Sequence, residues 1–482
     1  MARSTYPAHK VRNHNGGMAQ WGPIDSREHQ VIRWLVWTYF LFVILEGPLR
    51  KWIIPGMSNE LLLIRDPIAV LLYTCCVFQG LVRTNWMTIC FGLIGVCAGV
   101  LGMVAGTGNL IVTMYGFDAS FFHLPIIFII ARVFNRTDVI KMGQCILFLS
   151  IPMAVLMVIQ FRSSPHALVN VGPGGIAGTQ MQAVLGKIRP PGFFNFITGA
   201  AQFLACTAAF LVHGLLQKAA LNKMFLSLCG VALIISATVS TSRLALGGIG
   251  VVFLMIGVIG LYNRDIARGV VGMLLPVGFA FFVATNLDIF NEGRYVFEAR
   301  LENTGDAGGG IAKTASNWSD RILGDFMAGV KAIKNAPLFG YGLGYGTNVG
   351  ARILSGKLGF FTDEREWGRV VFEMGPLLAV PYLLGRVGIC AMLFRKASQS
   401  ARIGNFLPML LLGAFGLPIV NGQFAIASTV GFTVLGCGLC IAANKSSERS
   451  EDDAAGVRIA TMTKAQSTPR RSRSVYAKGL FK

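Results

Sequence analysis

The chain has 482 residues, of which 53% are hydrophobic and only 14% charged, and its mean hydropathy is +0.58. Soluble domains carry about 25% charged residues, so this chain cannot cover a water-facing surface and must complete it with lipid, which excludes a soluble enzyme. The net charge of +20 does not mark a nucleic-acid binder. Lys and Arg gather in the tails and short loops, and no basic domain is interleaved with aromatics.

In chain order, residues 1–30 are polar and read as a cytoplasmic tail carrying Arg3, Lys10, Arg12 and Arg27. The apolar run from 31 to 45 then opens a span without a cleavage site, as an uncleaved signal-anchor does. Apolar runs predict membrane helices at 31–46, 61–82, 86–106, 115–131, 138–161, 196–216, 224–241, 243–262, 268–287, 368–394, 404–421 and 424–443. Alternate loops hold Arg83, then Arg132, Arg136 and Lys141, then Lys218 and Lys223, then Arg264 and Arg268, then Arg395, Lys396 and Arg402. The loops 107–114 and 421–423 between them carry no Lys or Arg. This alternation predicts an all-α, multi-pass protein of the bacterial inner membrane with twelve spans and both termini cytoplasmic. The transmembrane domain is expected over 31–443, and the Arg- and Ser-rich 444–482 reads as a disordered basic tail near anionic lipid.

Ten cysteines fall inside apolar runs, including a Cys437-x-x-Cys440 pair without βαβ context, and read as packing residues. Six histidines are scattered with no pair at ligand spacing, so no metal site and no cofactor are expected; His123 reads as a satisfied membrane-interior group.

Two long polar segments interrupt the spans, 162–195 and 288–367, and both are expected on the periplasmic face. Within the second, Ile322, Phe326, Val330 and Ile333 recur at helical spacing, Asp320 suits the helix start, and Asn335-Ala336-Pro337 ends the helix. The glycine-rich run 337–346 that follows lacks the Lys-Ser/Thr of a phosphate loop and reads as a sharp turn or a substrate contact. Beyond it, Glu366, Arg369 and Glu373 share one helical face at the mouth of a span, either as an anchoring ion-pair cluster or as functional groups. A carboxylate beside apolar surface suits a general base: Glu366 first, Glu373 next, with Glu364 nearby. Arg189, Arg243 and Arg321 lie at the ends of helices on the face where arginine is disfavoured. A diphosphate accounts for them, because guanidinium forks match its oxygens, with Arg369 a fourth candidate; binding of lipid headgroups or helix capping is the plainer role. Trp318, Tyr341, Tyr345 and Trp367 are candidate sugar-stacking residues, or members of an interfacial aromatic belt.

The motifs RPPGFF (189–194), TSR (241–243), Asp320-Arg321-Ile322 and APLFGYGLG (336–344) together resemble the O-antigen ligase and polymerase superfamily, with its Wzy-type polymerases and WaaL-type ligases. The resemblance implies a GT-C-like, metal-independent inverting glycosyltransferase acting on undecaprenyl-diphosphate-linked glycans, with a chain-length regulator as candidate partner. It implies diphosphate-binding roles for Arg189 and Arg243, and the loop-arginine role for Arg321. Ligases of the family carry a histidine after the glycine turn, whereas this chain has none beyond His213 and places Asp363-Glu364-Arg365-Glu366-Trp367 there. The departure argues against a lipid A ligase and leaves the acceptor open. A ligase with another acceptor, or a twelve-span transporter or lipid-glycan flippase, remains the alternative; a flippase predicts ionisable groups at helix midpoints.

Overall fold

The computed structural model describes residues 29–81, 86–216, 221–264, 266–301, 310–356, 361–362 and 365–445; the side chains of 265, 268 and 301–322 are not among those described. The expected tails lie almost wholly outside this range, as do Asp363 and Glu364. The described residues are 77% helix, with no strand among them.

The helices are α1 Gln30–Pro48, α2 Asp66–Phe78, α3 Trp86–Val104, α4 Leu110–Phe117, α5 Ile126–Val133, α6 Arg136–Arg162, α7 Ile197–Leu216, α8 Lys223–Val239, α9 Arg243–Tyr262, α10 Ile266–Thr285, α11 Asp288–Leu301, α12 Gly310–Asn335, α13 Asn348–Ser355, α14 Glu366–Arg402, α15 Leu407–Asn421 and α16 Ala427–Ala442. Two π turns extend helices: Leu49–Ile53 after α1, and Asp118–Phe122 between α4 and α5.

Among the described residues, eight helical stretches are long and apolar enough to cross a membrane, or nine if α10 and α11, bent by 82° at their junction, form one broken span. Three further apolar helices, α8, α15 and α16, have 17, 15 and 16 residues. About 20 helical residues are needed to cross the hydrocarbon core, so by length these three fall short of the expectation of twelve. The loop helix predicted near 317–333 is α12, which ends at Asn335, just ahead of Pro337.

Burial separates the bundle's centre from its periphery. The most apolar stretch of α7 is 89% buried, whereas the corresponding stretches of α2, α3 and α9 are 22% buried. Helix α7 packs against α6, α8, α9, α15 and α16. Outer helices instead turn residues such as Phe78, Val104, Leu261 and Leu275 away from the protein. Lipid tails are as apolar as these side chains, so association of the inner helices depends on close packing. Gly436 illustrates it: a Cβ there would stand 2.0 Å from the Phe415 ring.

Candidate functional site

The two arginine motifs meet. Phe194 of RPPGFF is buried against Phe203 of α7 and Phe432 of α16, with ring centroids 5.9 and 5.4 Å away. The buried Lys51 ammonium donates to the Gly192 and Phe194 carbonyls, at 2.8 Å each. Anchored in this way, Arg189 extends to α9, where its Nη2 lies 3.4 Å from Ser242 Oγ and its Nη1 2.7 Å from Met181 Sδ.

Ser242 is also the N-cap of α9, accepting from the Ala245 N–H at 3.4 Å. Serine suits that position because its hydroxyl satisfies a first-turn N–H that has no partner within the helix. Thr241 before it adopts φ 44, a left-handed conformation uncommon for a β-branched residue. Its carbonyl accepts from Arg300 of α11. Ser240, Thr241 and Ser242 are fully buried, and Arg243 is the first residue of α9. Helix N-termini favour anions, so this turn collects Arg189, Arg243 and Arg300 around a feature that attracts negative charge. Nearby, Lys187 donates to Glu292 at 2.6 Å and ties the 162–195 segment to α11.

A second network closes the adjoining loop. Glu366, Arg369 and Glu373 do share a face. The fork of Arg369 grips Glu366, Nε to Oε2 and Nη2 to Oε1 at 3.0 Å each, and its Nη1 reaches Glu373 Oε2 at 2.7 Å. Glu366 Oε1 also accepts from Arg386 Nη1 at 2.6 Å, and Oε2 from the Phe424 N–H at 3.3 Å. A carboxylate has about four lone-pair sites; those of Glu366 are filled, and the side chain is buried. Its bonding is that of an anchor, and the base role anticipated for it has no open oxygen to work through. Glu373 is similarly engaged, accepting from the Gly346 N–H at 3.0 Å. Arg369, held between two carboxylates, is a partner within this lock.

The glycine-rich run docks on the same network. Tyr341 and Gly342 donate backbone N–H groups to the Phe372 and Glu373 carbonyls, at 2.8 and 3.0 Å. Those carbonyls are available because α14 breaks at Gly375 (φ 71, ψ 162), so the run fills the gap left in the helical ladder. A Cβ on Gly344 would stand 2.2 Å from the Val112 carbonyl oxygen, which is why glycine is needed there.

Of the aromatic candidates, Tyr341 and Tyr345 stack with centroids 5.0 Å apart, and Tyr345 stacks on Phe361 at 5.0 Å. Trp367 donates to the Val420 carbonyl at 3.1 Å and packs edge-on to Phe326. The side chains of Trp318 and Arg321, and all of Glu364, lie outside the described residues.

Several charged residues passed over in the sequence prove central. Arg386 stands within an apolar run, a signal that was legible. Glu46 binds Arg50 at 2.9 Å, Asn195 at 3.2 Å and Arg65 at 3.7 Å. His123 is not isolated: its Nε2 lies 3.4 Å from both Asp66 and Asp118. No protein-family model and no curated protein matches the chain.

Proposed function

We propose that the protein polymerises undecaprenyl-diphosphate-linked oligosaccharide repeats in bacterial surface polysaccharide synthesis, as an inverting glycosyltransferase of the O-antigen polymerase type. The observation that carries this reading is the approach of Arg189 to Ser242, within 3.4 Å across 53 residues of sequence. It brings the RPPGFF and TSR motifs to the N-terminus of α9, with Arg300 on the same turn. Two guanidinium groups, of Arg189 and Arg300, beside a helix N-terminus whose first residue is Arg243 suit a diphosphate, whose negative charge grows as the sugar leaves. A twelve-span GT-C-like bundle follows if α8, α15, α16 and the bent α10–α11 pair all cross together with the eight longer stretches. The loops at this end are then periplasmic and both termini cytoplasmic.

In the reaction, an acceptor sugar hydroxyl oxygen attacks the anomeric carbon as the bond from that carbon to the diphosphate oxygen breaks. Undecaprenyl diphosphate leaves with both electrons of that bond, and the hydroxyl proton passes to a carboxylate. With Glu366 and Glu373 held by arginine and backbone partners, Glu364 is the base we assign. Tyr341 and Tyr345 are suited to line the sugar path. Transfer to a different acceptor would make the same site a ligase.

The competing reading is a lipid-glycan flippase, favoured by the buried His123 with Asp118 inside the span Leu110–Val133, facing Asp66 of the span Glu60–Phe78. Reconstitution with lipid-linked oligosaccharide separates the two. Arg189→Ala and Arg243→Ala are each expected to lower polymer yield about 100-fold or more, with protein abundance unchanged. Full polymer yield from both variants, or cysteine labelling that puts position 243 in the cytosol, would overturn the reading.

A further inference from the structure

The side chains of Asp66, Asp118 and His123 converge from two spans. Asp66 is the first residue of α2, and Asp118 and His123 bracket the π turn between α4 and α5. In an α-helix, residues five apart point in different directions, whereas the i to i+5 bonding of a π turn brings them together. His123 is 1% exposed and its Nε2 makes no hydrogen bond; Asp118 Oδ1 is buried and also makes none. Nδ1 of the same ring lies 3.2 Å from the Tyr39 hydroxyl, which leaves Nε2 facing the two carboxylates. Metal-ligating histidines are oriented by just such a bond from the second ring nitrogen.

We propose that Asp66, Asp118 and His123 form a divalent-cation site of the Zn²⁺ class, with its fourth position open. The spacing carries the argument. Nε2 stands 3.4 Å from Oδ1 of each aspartate, and the three ligand atoms lie within 4.8 Å of one another. Two ligands each about 2.1 Å from a tetrahedral ion are separated by about 3.4 Å. That distance is long for a hydrogen bond and right for two ligands flanking an ion. Three carboxylates, Asp66, Asp118 and Glu46, are grouped here with two guanidinium groups, Arg50 and Arg65. The aspartate side chains are each 23% exposed, so the cluster is not sealed within the protein on their side. The bound ion pins α2 to the π turn. This role is separate from sugar transfer and does not rest on it.

The test uses the full chain in lipid nanodiscs, stripped with chelator and titrated with Co²⁺ as the probe. The wild type is expected to bind one Co²⁺ per chain with the intense visible bands of tetrahedral coordination, and Zn²⁺ is expected to displace it and raise the melting temperature. His123→Ala and Asp118→Asn are expected to lose saturable binding. His123→Cys is expected to keep it and to add a thiolate-to-cobalt charge-transfer band, which reports on the site even if the alanine variant misfolds. Absence of saturable binding to the wild type, unchanged binding in both loss variants, or a cysteine variant without that band would overturn the proposal.

Discussion

Arg386 Nη1 stands 2.6 Å from Glu366 Oε1, although 20 residues separate them along α14. A straight helix would hold their Cα atoms about 30 Å apart, beyond the reach of both side chains. The break at Gly375 therefore folds the first turns of α14 back on the long apolar part. Arg386 completes the junction by donating to the Ile419 and Gly422 carbonyls, at 2.8 and 2.9 Å, with its guanidinium 3.8 Å from the Phe424 ring centroid.

This lock predicts that either end of the pair is costly to remove. Arg386→Ala leaves buried carbonyls and part of Glu366 without a partner and is expected to cost about 3–5 kcal/mol. Glu366→Ala strips both Arg386 and the fork of Arg369 of their carboxylate and should cost at least as much. Thermal unfolding in detergent measures both. A single variant as stable as wild type would mean that the pair does not hold the junction.

Gly375 and Gly356 offer a matched comparison of backbone strain. Gly375 has φ 71 and ψ 162, a region almost confined to glycine, and a Cβ there would lie 2.1 Å from the Leu338 carbonyl oxygen. Gly356 caps α13 at φ 69 and ψ 0, with nothing within 4 Å. Gly356→Ala is expected to cost about 1 kcal/mol from left-handed strain alone, whereas Gly375→Ala should cost at least about 2 kcal/mol. Equal melting temperatures for the two variants would contradict the close approach.

Lys51 is expected to control the segment that presents Arg189. Replacing it with Met removes two charge-assisted hydrogen bonds, each worth about 1.5–3 kcal/mol. Local opening should rise at least about 10-fold, read as faster tryptic cleavage after Lys187 in native conditions. Cleavage at the wild-type rate would show that Phe194 alone anchors the segment.

What the sequence alone determined is the class and much of the helical plan. Hydropathy sums over a window of neighbouring residues, so the runs 86–106, 196–216 and 243–262 translate closely into Trp86–Val104, Ile197–Leu216 and Arg243–Tyr262. The shared face of Glu366, Arg369 and Glu373 was legible for the same reason, since i, i+3 and i, i+4 spacing is a local property of a helix. Tertiary structure decided the rest. Arg189 reaches Ser242 only because Lys51 and Phe194 seat the RPPGFF segment. Arg386 reaches Glu366 only across a break, and Asp118 joins His123 only through a π turn that no α-helical periodicity anticipates. These meetings depend on where distant segments pack and on where regular hydrogen bonding fails. Neither is encoded in the spacing of residues along the chain.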